Sequence, residues 1–435
     1  MAKVVVVGGG IAGLGAAHTL QKAGVEVSVL ESEPEAGGRM RSKYWHGAWI
    51  DLGAEFTTSN DTAFEKLAAE LGILDQRITY PGESVSFNIW RDGKSHPLNF
   101  TEAKSFLRFG AMSAWSKVRL LGLLPTFVKQ FRRNAGAENE PWRAAWCDDS
   151  SVEEWLGRKN HEFLEYAVEP CYELYCGYEP HDFSKAMFAY FSTTYRSTSV
   201  FTFREGLGQL TRALAAALDV TTGARVTRVA NGSKPVSVEY EVAGKTARRE
   251  ADMVLVAVPG TKVAGMVEEL DVERRNFFEN VRYTPHELPF YKLSRKPEGV
   301  PDRVFYPRLE DPNIAALGYE ASSTVPEVEL FRISMKTSFI RRQLDVGDDD
   351  HNRAMIELAG RRYPVVPPLV EDAFTSRWRE ALPLFYPGYL RRLASFVELP
   401  PLDGVSFAGD YLAGPATGAA FATGQRAATD ILKRL

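Results

Sequence analysis

Apolar positions along this chain change their period from segment to segment, and the changes mark its elements. Lys3 to Val7 is a short, almost unbroken run of β-branched valines, the pattern of a strand buried on both faces. Past three glycines the spacing turns helical, with Ala12, Leu14, Ala16, Ala17 and Leu20 leading up to Ala23-Gly24. Val25 to Leu30 predicts a second strand. Farther on, Ser84 to Trp90 and Ser95 to Asn99 flank Arg91-Asp92-Gly93-Lys94 and predict a hairpin. From Thr101 to Arg133 helical spacing returns through Phe106, Phe109, Met112, Trp115 and Val118, and Pro125 is expected to break or kink that run. Ser151-Val152-Glu153-Glu154 has capping-box form and predicts a helix opening at Val152, continued by an aromatic-rich helical stretch to Tyr178. Strand patterns follow at Gly223 to Val229, Val236 to Val242, Met253 to Val258, Glu287 to Leu293, Glu327 to Met335 and Val405 to Phe407. A closing helix runs through Gln425 to Ala428, and no internal repeat or low-complexity linker interrupts the chain.

The first thirty residues carry the sharpest chemistry. Gly8, Gly10 and Gly13 satisfy G-x-G-x-x-G between a predicted strand and a predicted helix, and Glu31 closes the second strand eighteen residues beyond Gly13. Gly8 permits a tight turn, Gly10 lets a pyrophosphate reach the backbone, and Gly13 lets the helix pack on the strand. Ile11 and Ala12 open the helix, whose free N–H groups stabilise phosphate charge. Glu31 is placed to accept hydrogen bonds from a ribose and disfavours a 2′-phosphate. The motif predicts a dinucleotide site without separating NAD from FAD.

Composition narrows the rest. A chain of 435 residues can bury two or three domains' worth of core, and its net charge of −4 gives no sign of a nucleic-acid partner. No run of eighteen apolar residues predicts a membrane span, and no secretory signal is visible, so a cytoplasmic location is expected. Cys147, Cys171 and Cys176 read as reduced thiols, and no histidine or cysteine spacing predicts a metal site. Residues 115–133 interleave leucines with Lys117, Arg119, Lys129, Arg132 and Arg133. That stretch reads first as a helix with a solvated basic edge, and second as a peripheral membrane contact.

Later segments choose between the dinucleotides by resemblance. Gly37-Gly38-Arg39-Met40-Arg41-Ser42 resembles the G-G-R-x-x-S/T segment of the flavin amine oxidase superfamily, which includes protoporphyrinogen oxidases and phytoene-type desaturases. Asp51-Leu52-Gly53-Ala54-Glu55-Phe56 resembles the family's stretch beside the flavin ring. Val405 to Asp410, followed by Gly414-Pro415-Ala416-Thr417-Gly418, resembles its closing motif. The resemblance implies FAD as cofactor, held noncovalently because no Ser-Gly-Gly-Cys precedes Gly414. It places Arg39 on the pyrophosphate, Val226 against the adenine, Gly409 and Asp410 at the ribityl chain, and Ala416 and Thr417 at the flavin.

The fold this implies is α/β, a glutathione-reductase-like Rossmann domain with a second, mixed α+β substrate domain. The FAD domain is expected from 1–57, 204–262 and 395–435, and the substrate domain from 58–203 and 263–394, with a helical region at 101–178. The function implied is two-electron oxidation of a small organic substrate at a C–N or C–C bond, with O2 or a quinone as acceptor. Trp378 to Pro383 and Glu205 to Leu210 favour a branch like the protoporphyrinogen oxidases. The alternatives are an amine oxidase releasing hydrogen peroxide, a carotenoid-type desaturase or isomerase, and a flavin-binding protein without turnover. Glu55, His286 and Lys292 are the catalytic candidates, Glu55 as a proton acceptor or partner of a cationic substrate. Lys292 is the candidate for the family's lysine that relays a water to the flavin.

Overall fold

The computed structural model describes residues 2–58, 62–80, 86–99, 102–134, 139–194, 199–232, 234–321, 325 and 327–435. Its first layer is a five-stranded parallel sheet in the order Val220–Thr221, Glu26–Leu30, Lys3–Val7, Met253–Val256 and Val405–Phe407. Val4 to Val7 are all buried, as an unbroken apolar run in a central parallel strand requires. The helices Ile11–Lys22 and Thr417–Arg434 cover the sheet side by side. Their approach depends on glycine: a Cβ on Gly424 would stand 2.1 Å from the Ala12 carbonyl oxygen. Thr19 Oγ1 donates to Gln425 Oε1 (2.8 Å), and Gln425 Nε2 returns a bond to the Gly15 carbonyl (3.1 Å). The two ends of the chain are thereby locked together.

The second layer is a seven-stranded mixed sheet, in the order Val370–Pro383, Tyr283–Leu293, Glu329–Met335, Ile314–Ala321, Val304–Phe305, Ser86–Arg91 and Lys94–Asn99. The hairpin expected from Ser84 pairs from Ser86 onward; Ser84 and Val85 lie outside the described residues, as does Thr101 at the start of the expected helical region. In Glu329–Met335 the two faces differ sharply. Phe331, Ile333 and Met335 join one apolar core, while Leu330, Arg332 and Ser334 face an internal cavity.

Three expectations change. The run from 101 to 133 is broken before Pro125, into Ala103–Arg108, Ala114–Arg119 and Leu124–Asn134. A 3-10 turn, Leu120–Leu123, leads directly into the last of these, so the break expected at Pro125 takes the form of a change of helix type beside it. The strand expected from Glu287 begins at Tyr283, which puts His286 inside it. Val370–Pro383 is a fourteen-residue edge strand whose charges (Glu371, Asp372, Arg377, Arg379, Glu380) concealed its pattern. The Ser151 capping box forms as expected. Among the described residues no helix is long and apolar enough to cross a membrane.

Candidate active site

One cavity of about 3080 Å³ runs from the glycine turn to the seven-stranded sheet. That is several times the volume of an ordinary small-ligand pocket, and room enough for a dinucleotide together with a substrate.

At the first end the backbone does the binding. Gly8 has φ +107°, and a Cβ there would stand 2.6 Å from the Ala257 carbonyl oxygen. A Cβ on Gly13 would lie 2.0 Å from the Gly8 carbonyl, so only glycine closes this turn. Gly10 differs: a Cβ there meets nothing within 4 Å, and the space it would enter belongs to the cavity. Ile11 and Ala12 line the same space, at a helix start with no side-chain cap and no acid in its first turn. Glu31 is held from both sides, accepting from Gly9 N (2.6 Å) and Glu33 N (2.8 Å), and it also lines the cavity. Val226 borders it from the strand Ala224–Ala230. An anion cradle with a fixed carboxylate beyond it suits the phosphates and ribose of a dinucleotide.

The second grip is a knot of three segments. Gly37 N donates to Gly9 O (2.8 Å), seating Gly37 and Gly38 on the glycine turn. Arg39 lines the cavity and is fixed there by its neighbours. Its guanidinium donates to Asp410 Oδ2 (2.6 Å) and to the Ala381 carbonyl (2.5 Å). Asp410 also accepts from Tyr411 N (3.0 Å) and the Tyr283 hydroxyl (3.3 Å). Gly409 N donates to Thr423 Oγ1 (2.9 Å), which ties the closing strand to the last helix. Ala416 caps that eighteen-residue helix with no side-chain bond, and Pro415, Ala416 and Thr417 all border the cavity. A second uncapped helix start therefore points positive potential into the same space.

Asp51 to Phe56 cross the middle. Leu52 N and Ala54 N donate to the carbonyls of Arg41 (2.8 Å) and Arg39 (2.9 Å). Gly53 permits this approach, since a Cβ there would sit 2.2 Å from the Arg39 carbonyl. Ser376 Oγ donates to the Leu52 carbonyl (2.6 Å) from the edge strand. Asp51 is buried and accepts from Ser42 Oγ (2.6 Å) and Leu207 N (2.9 Å). Burial outweighs those bonds and pushes its carboxyl up to about 8.

At the far end lies a chamber of mixed charge. Glu55 Oε1 accepts from Arg332 Nη1 (2.7 Å), across 277 residues of sequence. Enclosure would raise the Glu55 carboxyl, but Arg332, Arg303 and His286 together hold it below the usual carboxylate range. For His286 enclosure is the largest influence; with Arg303 and Arg332 adding to it against the pull of Glu55, it lowers the imidazole to about 4, so the ring is neutral at neutral pH. Arg303 Nη2 donates to Ser334 Oγ (3.1 Å). Phe56, Tyr175, Phe87 and Phe305 form an aromatic wall, with ring centroids 5.1–6.0 Å apart along the chain of contacts.

Glu55 and His286, two of the three catalytic candidates, thus share one chamber. Lys292 does not join them. It points to the same face of its strand as His286 but lies six residues farther on, about 20 Å at ~3.3 Å per residue, and pairs with Glu371 beyond the cavity. Arg303, Arg332 and Tyr175 are the site residues that sequence reading missed. The one available signal was the alternation in Glu329–Met335, where a polar face reads as solvent-exposed but faces the cavity.

With this geometry in hand, similarity to known proteins can be placed on it. The family model described as flavin containing amine oxidoreductase matches residues 11–432. Putrescine oxidase of Kocuria rosea is 36% identical over 156 residues, 35% of this chain and 30% of that protein. Mitochondrial protoporphyrinogen oxidase of Nicotiana tabacum is 28% identical over 188 residues, 42% of this chain and 34% of that protein. These sequence matches span about a third of each curated relative's length. Among solved structures, putrescine oxidase bound to putrescine superposes with a TM-score of 0.78 at 19% identity, covering 100% of this chain and 99% of that one. Cyclohexylamine oxidase from Brevibacterium oxydans gives 0.76 at 17% identity, with the same coverage. At such identities the likeness is one of fold. Taken together, the relatives support the amine-oxidase alternative better than the porphyrinogen-oxidase-like reading that the sequence put first.

Proposed function

The chain belongs to the flavin-containing amine oxidoreductase family, and from that premise we propose that it oxidises a small organic amine at a C–N bond, using noncovalent FAD and dioxygen. FAD, when bound, supplies the acceptor for the substrate's hydride and returns the electrons to dioxygen as hydrogen peroxide. Gly8 to Gly13, Glu31, Gly37, Gly38 and Val226 would hold its adenosine and phosphates; Gly53, Ala54, Phe56, Gly409, Asp410, Ala416 and Thr417 would border the rest. The thiols on the cavity are poor candidates for a covalent link: burial pushes Cys176 up to about 12 and Cys171 well above the usual thiol range, so both are protonated.

The observation that carries the proposal is that His286, whose Nδ1 has no partner, and Glu55, ion-paired with Arg332, line one chamber beside an aromatic surface. An amine must be unprotonated at nitrogen before its neighbouring carbon can give up hydride. Glu55 attracts the ammonium cation as it arrives, the cation gives its proton to solvent, and the neutral His286 then offers a lone pair to an N–H of the free amine. Phe56, Tyr175 and Phe305 pack on the substrate's carbon skeleton and exclude water. A porphyrinogen is the second reading, because Arg303 and Arg332 suit carboxylate side chains.

The two readings part in one experiment. The holoprotein is offered a panel of mono- and diamines with peroxide detection, and in parallel a porphyrinogen with porphyrin fluorescence. Peroxide formed in step with loss of one or more amines supports the proposal. Porphyrin fluorescence without amine turnover replaces it with the second reading.

A further inference from the structure

One surface feature has no part in the chemistry above. Residues 103–137 contain seven lysines and arginines and no aspartate or glutamate. The whole chain is at −4 and this stretch at +7, so all other residues together carry −11. Among the described residues none of the seven bases enters an ion pair. Among the described residues, the same stretch holds seven of the sixteen large apolar side chains that are exposed. Leu107 is 71% exposed, Leu121 65% and Trp115 63%, with Val118, Leu124 and Val128 about half exposed. Large apolar groups in water are costly, and a contiguous set of them marks a surface meant for contact. In Leu124–Asn134, Leu124 and Val128 are one turn apart, with Lys129, Arg132 and Arg133 beside them.

One end of the patch also borders the cavity. Leu124, Phe127, Val128 and Arg132 line the space that reaches the chamber of Glu55 and His286, and Leu124 and Val128 are exposed as well. A protein partner of ordinary composition would need acids facing these bases and a matched apolar core. An anionic bilayer meets both needs at once, because headgroups pair with the bases while acyl chains receive the leucines and Trp115.

We propose that residues 107–132 dock the protein peripherally on anionic membranes, with the mouth of its cavity against the lipid. The proposal deepens the amine-oxidase reading by naming lipophilic amines as the substrates that would enter there, and that clause alone rests on the reading. Docking itself does not depend on turnover, so the two fail separately.

The test is co-sedimentation of the flavin-loaded, full-length protein with vesicles of phosphatidylcholine, with and without phosphatidylglycerol. The expected result is binding to the mixed vesicles, weakened by added salt, and little to phosphatidylcholine alone. Val118→Glu with Leu121→Glu should weaken that binding by roughly tenfold or more, with flavin content and melting temperature unchanged. Lipid-chain quenchers should quench the wild type more than Trp115→Phe. Absence of binding, or binding that neither the double variant nor salt alters, overturns the proposal. So does concentration-dependent self-association that the double variant abolishes, in a protein that ignores vesicles; the patch would then be an interface between copies.

Discussion

The two ends of the cavity are built by opposite means. The nucleotide end is made of missing side chains. Gly10 leaves a space open, Gly13 lets a helix reach a strand, and Gly424 brings the last helix onto the first. The chamber end is made of side chains that constrain one another's charge: Arg332 and Arg303 keep Glu55 ionised, and the same arginines help keep His286 neutral. Steric openings can be written locally, in a few neighbouring letters. A charge balance exists only after strands hundreds of residues apart have met.

That contrast can be broken most forcefully at the glycines. Gly13→Ala drives a Cβ into the Gly8 carbonyl, so the turn cannot close; the expected outcome is loss of soluble folded protein, or a large drop in melting temperature with no flavin. Gly10→Val should behave quite differently. Its side chain enters open cavity, so circular dichroism stays native while FAD affinity falls by roughly a hundredfold, about 2.7 kcal/mol. Equal damage from both variants would erase the distinction between a glycine that folds the turn and one that admits the ligand.

At the chamber, Arg332→Met strands Glu55 without its partner. The expected loss is about 3–5 kcal/mol in denaturant unfolding, and the pairing of Arg332→Met with Glu55→Leu should recover much of it. No coupling in the double-mutant cycle would show that Glu55 and Arg332 act separately.

Smaller effects concern pH. Asp51 titrates near 8 in the fold and at an ordinary carboxylate value when unfolded. Its neutral form is therefore favoured by folding; its stabilisation is complete below about pH 4 and is lost as pH rises through 8. Asp51→Asn keeps the acceptor for Ser42 and Leu207, so its melting temperature should gain on the wild type by a few degrees between pH 5 and pH 8. His286 has the opposite sign. Its folded value near 4 lies below the unfolded one, so its stabilisation is complete above about pH 6.5 and is lost as pH falls towards 4. His286→Gln should remove the acid limb of kcat/KM near pH 4 and lower the rate roughly tenfold; a limb that survives unchanged belongs to another group.

Much of the nucleotide end was legible because each of its parts is a contiguous phrase with its own physical reason. Gly8 to Gly13, Glu31, Gly37 to Arg39, and Gly409 to Thr417 all border or frame the cavity. Arg39 shows the limit: its type suggested a phosphate, and no neighbouring letter tells of the bond that fixes it to Asp410, 371 residues away. The chamber was legible only as far as Glu55 and His286. Arg332 sits on a strand whose polar face resembles any solvent-facing row, and the strand Val370–Pro383 hid behind its own charges. Lys292 illustrates the reverse error, since a suitable residue on a suitable face can still lie beyond the end of the cavity.

The most direct test of the account is an anaerobic titration of the purified protein with amines, followed through its visible absorbance, after acid precipitation has shown whether the yellow colour is released. The expected result is stoichiometric flavin, released by acid, that one or more amines bleach and that dioxygen restores with one hydrogen peroxide per flavin. A protein that binds no FAD, or whose flavin every amine leaves oxidised, would contradict it.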